Sequence, residues 1–210
     1  MKMPKKCLEN IDRTPFLAYN RRMGKKENTK TKYFLWGLRG FLTLACLLLI
    51  AFIFTNSLQE GEQSAEKSSE VVKAVQKVAA FFDPNSAIAN ATGEAYDRLH
   101  AVVRNWAHFA EFALLGGLLC WCCFSYTFKK IFQIIPPCAV ALVAVTDEIL
   151  QLFTSGRAFQ FFDILLDCGG GIVGIGFAIL TVWLGVLAYK KKKQAASLEG
   201  AMENRVGEEE

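Results

Sequence analysis

Seven polar side chains, His108, Glu111, Asp147, Glu148, Gln151, Asp163 and Asp167, interrupt stretches that are otherwise apolar, and Arg104 and Arg157 stand just outside those stretches. Glu, Asp and His side chains brought together can perform acid–base chemistry. A set rich in carboxylate oxygens can hold a divalent cation, and an arginine fork can grip a phosphate or carboxylate head group. The spacing is ordered. His108 and Glu111 are three residues apart, while Asp147 and Gln151, and Asp163 and Asp167, are four apart, so each pair shares one face of a helix. Five carboxylates beside one histidine and two arginines cannot all stay charged in a dry site without protons or a bound cation to offset them. The competing reading is a salt-bridge lock, Arg157 with Asp163 and His108 with Asp147. Burying this many ionisable groups is, however, a costly way to pin helices together.

The elements that must position these groups are long and apolar. The 210-residue chain is 52% hydrophobic with a mean hydropathy of +0.24, and four windows concentrate that apolarity: residues 33–54, 106–128, 131–153 and 161–189. Each approaches the roughly 20 residues needed to cross about 30 Å of hydrocarbon. The first has no polar face from Gly40 to Phe54, unlike a surface helix of a soluble bundle. This distribution excludes a disordered chain, a disulfide-stapled secreted module and an ordinary soluble enzyme. The expected fold is all-α, an integral membrane bundle of four transmembrane helices with an amphipathic external helix. A basic segment, 1–32, precedes the membrane domain, 33–189, whose external loop is 57–104, and a charged tail, 190–210, follows it.

Lysine and arginine set the orientation. Seventeen lie before the first window, between the second and third, or after the fourth, against six in the other two connections. Both termini are therefore expected in the cytoplasm, with the first span retained as a signal anchor. The net charge of +4 belongs to basic tails, and no nucleic-acid partner is expected. No cysteine falls in the external loops, so no external disulfide framework is available. Cys120, Cys122 and Cys123 are read as packing residues.

With this topology the polar groups do not scatter. At about 1.5 Å per residue, three helices deliver His108, Glu111, Asp147, Glu148, Gln151, Asp163 and Asp167 to one shallow layer near the external surface. Each ionisable group placed within a span costs roughly 2.5–3.5 kcal/mol on insertion scales, so a layer of them demands a reason. Gly116-Gly117, Gly169-Gly170-Gly171 and Gly174 allow close helix approach. Pro136-Pro137 is expected to kink the third span. In the long loop, Val71, Val72, Val75, Val78, Ala79 and Phe82 recur at helical spacing, which predicts an amphipathic helix stopped at Asp83-Pro84-Asn85. It would lie on the membrane surface or cap the bundle. A second short helix over 95–103 is expected to lead into the second span.

The residues also resemble a known family. The run from Arg104 through His108, Phe109, Glu111, Leu115 and Gly116 resembles the R-K-x-x-H-F-x-E-Y-x-x-L-G signature of VanZ-like proteins. Asp147-Glu148-Ile149-Leu150-Gln151-Leu152-Phe153 is similar to their D-E-x-x-Q-x-F. Arg157, Asp163, Asp167, Gly170 and Gly174 match R-x-x-x-x-x-D-x-x-x-D-x-x-G-x-x-x-G, and Ser57, Glu62, Ser64 and Ser68 fit the serine-spaced segment after the first span. Phe112 replaces the common Tyr and Asn105 the common Lys; if that Lys neutralises a carboxylate in the family, Arg104 is left to do so alone. The resemblance implies a bacterial cell-membrane protein associated with low-level resistance to teicoplanin and related lipoglycopeptide antibiotics. The expected partner is an envelope lipid or lipid-linked precursor, bound by Arg104, His108, Glu111, Asp147, Glu148, Gln151, Arg157, Asp163 and Asp167, with a divalent cation as a candidate cofactor. The alternative is a membrane-embedded hydrolase or transferase acting on a lipid head group, with His108, Glu111, Asp147 and Glu148 as candidate catalytic residues. An ion- or proton-coupled transporter fits less well, because the polar groups stop within one half of the membrane.

Overall fold

The structure is a computed structural model that describes residues 29–58, 61–127, 129–154 and 159–206. Among the described residues five α-helices follow one another: α1 (Thr29–Ser57), α2 (Gly61–Phe82), α3 (Glu94–Tyr126), α4 (Ile135–Gln151) and α5 (Phe161–Val206), with a short 3-10 turn (Lys130–Ile134) leading into α4. Among the described residues there is no strand. The chain divides into two compact units, residues 1–41 and 42–210. Of the first, only the opening part of α1 is described; the second holds the rest of α1 and every other described helix.

Four helical stretches, Thr29–Ser57, Glu94–Tyr126, Ile131–Gln151 and Phe161–Lys192, are long and apolar enough to cross a bilayer. Their outward faces carry large apolar side chains: Leu44, Leu47 and Leu48 on α1, Leu142 and Ile149 on α4, Ile172, Val173 and Phe177 on α5. In water such a surface would drive aggregation; against lipid tails it costs nothing.

Helix limits follow from local chemistry. Gly93 takes a φ of +56° at the turn before α3, in the left-handed region that a side chain disfavours, and Glu94 and Asp97 place negative charge on the first turn, where the helix dipole favours it. No Gly or Pro occurs between Glu94 and Leu115. The expected short helix over 95–103 is therefore not separate: it is the first part of the 33-residue α3. The prolines also behave differently from expectation. Pro136 and Pro137 occupy the first positions of α4 after the 3-10 turn, where their missing N–H groups have no intrahelical partner to lose, so they start a helix and do not kink one. Residues 190–206, expected as a charged tail, continue α5 as helix.

Packing is of two kinds. The α3–α5 interface is the closest, and it is made by backbone. A Cβ added at Gly170, Gly174 or Gly116 would strike the carbonyl oxygen of Phe109, Ala113 or Gly171, respectively. Small residues at four-residue spacing allow this approach, and the buried Ala178 extends the row. Farther along the same interface Trp121 Nε1 donates to Thr181 Oγ1 at 3.0 Å. α4 fits against α5 where the Val140 side chain fills the space beside Gly171. By contrast, α1 joins the others through side chains: Ile53 enters a core with Phe112, Leu115, Val140, Val143 and Ala144, and Thr43 Oγ1 lies 3.2 Å from Tyr126 Oη. The amphipathic α2 packs on the start of α3, burying Val72, while Gln76 Nε2 donates to the Ala91 carbonyl at 3.0 Å. α2 is seated against α3, on which its apolar side closes.

Candidate functional site

α1 and α4 end, and α5 begins, at the level that residues 104–111 occupy on α3, and the polar residues collect there, directly above the apolar core. Asp147, Glu148, Gln151 and Asp167 are buried, with Asp147 fully so. Arg104, His108, Glu111 and Asp163 are half-buried around them.

Asp147 is held from two sides. Ser57 Oγ at the end of α1 donates to Asp147 Oδ1, and the same hydroxyl lies 3.0 Å from the Ile53 carbonyl. One turn on in α4, Gln151 Nε2 donates to Asp147 Oδ2 at 3.0 Å, the contact that the four-residue spacing predicts. Glu148 faces the other way along the layer. Its Oε1 accepts the backbone N–H of Gln160 at 2.5 Å, which sets a carboxylate at the entry to α5, where unpaired amides and the helix dipole favour negative charge. Arg104, Asp147 and Asp163 lie within electrostatic range of the same group. Glu111 receives a hydrogen bond from Asn56 and lies near Asp147. Asp167, on α5, is surrounded by the fields of Asp147, Asp163, Glu148 and Glu111, and its Oδ1 is buried with no hydrogen-bond partner among the described residues. His108, Asp147 and Asp167 each offer a donor atom within 4.8 Å of the other two.

Beside this layer a groove of about 780 Å³ runs between α1, α2 and α3. Phe52, Val71, Val75, Leu99 and Val102 make its walls apolar, and Arg104, His108 and Glu111 form its polar end.

The structure thus brings together eight of the nine residues expected to form the site. Arg157 lies outside the described residues. Two further participants, Asn56 and Ser57, were not among those expected. The signal for them was present: two small polar residues close an apolar run at the depth of the polar layer, and a hydroxyl or amide there must find a partner.

A family model described as VanZ/LLP1 matches residues 41–184, which takes in most of each membrane-crossing helix and the whole polar layer. The chain belongs to the VanZ/LLP1 family. No curated protein and no solved structure matches it. With the four long apolar helices, membership makes the chain a multi-pass, VanZ-like membrane protein. Within the matched span lie residues that carried the resemblance: His108, Glu111, Asp147, Gln151, Asp163 and Asp167, which form the layer, and Gly170 and Gly174, which form the α3–α5 backbone contact.

Proposed function

We propose that the protein binds the anionic head group of a membrane lipid or lipid-linked envelope precursor, and that through this contact it alters susceptibility to teicoplanin and related lipoglycopeptides. The observation that carries the reading is the groove, whose apolar walls suit an acyl or prenyl chain and whose polar end presents Arg104 and His108 beside Glu111. Chain and head group would thereby be recognised together, with a few placed polar groups fixing orientation in a largely apolar site. The excess of Lys and Arg in the segments at the opposite end of the spans supports a site in the outer leaflet with both termini in the cytoplasm, the leaflet in which envelope precursors are exposed to such antibiotics.

Mass spectrometry of lipids that accompany gently purified protein tests the binding step. One lipid class is expected with the wild type and is expected to be depleted in an Arg104→Ala variant; equal lipid profiles would defeat the reading. In cells, alanine at Glu111, Asp147, Glu148 or Asp163 is expected to abolish any teicoplanin phenotype at equal expression.

A second reading, hydrolysis or transfer at a lipid head group, is favoured by the proximity of His108 to two buried carboxylates, a grouping able to move protons. Turnover of a labelled lipid by purified protein, lost in a His108→Ala or Glu111→Ala variant, would select it.

A further inference from the structure

We propose that His108, Asp147 and Asp167 are the protein ligands of a divalent transition-metal ion at the junction of α3, α4 and α5. Their donor atoms lie within 4.8 Å of one another. Donors 2.0–2.2 Å from a shared tetrahedral ion sit roughly 3.4 Å apart, so closing on the ion takes side-chain shifts of about an ångström. Each comes from a different helix, which makes the ion a staple across three spans.

An acidic cluster alone would not carry this, because carboxylates also gather to share hydrogen bonds. Asp167 does not fit that description. It is 3% exposed, and Oδ1 has no hydrogen-bond partner among the described residues, although a buried acceptor left unsatisfied costs about 1–3 kcal/mol, more if charged. A lock of His108 with Asp147 leaves that oxygen unused, whereas a cation uses it. Charge agrees: two buried carboxylates and a neutral imidazole around a dication sum to zero, which suits a layer at the edge of a membrane. Asp147 already has the support expected of a ligand. Ser57 and Gln151 each bond one of its oxygens, and every carboxylate oxygen keeps a second lone pair for a metal. Such outer bonds orient ligands and tune affinity.

The donor set states the class of ion. One imidazole nitrogen with two carboxylate oxygens suits Zn2+ or Mn2+, whereas Mg2+ and Ca2+ prefer oxygen alone. Three protein donors leave at least one coordination position for water or for a substrate oxygen. This proposal does not rest on lipid binding, and its test contains no added lipid.

The experiment uses the full chain in detergent, stripped with a chelator, then loaded with Zn2+ alone or with Co2+ alone and freed of excess metal by gel filtration. Elemental analysis is expected to find about one Zn2+ per wild-type chain, with affinity reduced at least about tenfold in Asp167→Asn and in His108→Gln. The Co2+ form is expected to show the visible d–d absorption of a four- or five-coordinate N,O site, altered in His108→Gln. Because His108 is only half-buried, its replacement remains informative if Asp167→Asn fails to fold. A thiolate-to-cobalt charge-transfer band would place the metal on the cysteines and overturn the proposal. So would an absence of bound metal in the wild type, or equal binding by the wild type and both variants.

Discussion

Asp147 shows how much of the polar layer depends on single contacts. It is fully buried, and two neutral side chains from different helices, Ser57 and Gln151, meet its two oxygens. A hydrogen bond to a charged group contributes about 1.5–3 kcal/mol. Ser57→Ala is therefore expected to lower stability by about 1–3 kcal/mol in thermal unfolding of the purified protein. Ser57→Ala and Asp147→Asn combined should cost less than the sum of the two, since they report on one contact. Residues of this layer were legible because an ionisable group within an apolar run is itself an anomaly. Ser57 was less so: a serine at a helix end is common, and only the structure shows which carboxylate it meets.

At the scale of the helices, the glycines separate into two kinds. A methyl group at Gly174 would collide with the Ala113 carbonyl, whereas Gly176, two residues on, faces open space. Gly174→Ala is expected to destabilise the fold by about 1–3 kcal/mol through overpacking. Gly176→Ala should be neutral or stabilising by up to about 1 kcal/mol, as alanine favours helix; a denaturation series on both variants separates the cases. The spacing of Gly170 and Gly174 announced close approach in the sequence, but not which partner would be approached. Helix limits were harder to read. Hydropathy marks where α3 becomes apolar, near Trp106, while the helix itself begins at Glu94, because backbone hydrogen bonding continues through polar turns that hydropathy scores as loop. Pro136-Pro137 was ambiguous for a related reason, since the same pair kinks a helix from within and starts one from its end.

At the scale of the whole chain, the proposed orientation rests on charge asymmetry alone, and it yields a direct test. With both termini inside, a cysteine introduced at Lys73 on α2 is expected to react with a membrane-impermeant maleimide in intact cells. One introduced at Lys191 should react only after permeabilisation, and the reverse pattern would invert the proposed topology. The contrast in packing has a mechanical outcome as well. α3 and α5 meet through main-chain atoms, so neither can slide along the other without a glycine leaving its notch, and the relative depth of His108 and Asp167 is thereby fixed. α1 meets its neighbours through flexible side chains, and it also forms one wall of the groove. A bulkier occupant of the groove would then be accommodated by the compliant wall yielding, while the two rigid struts keep the polar end in register.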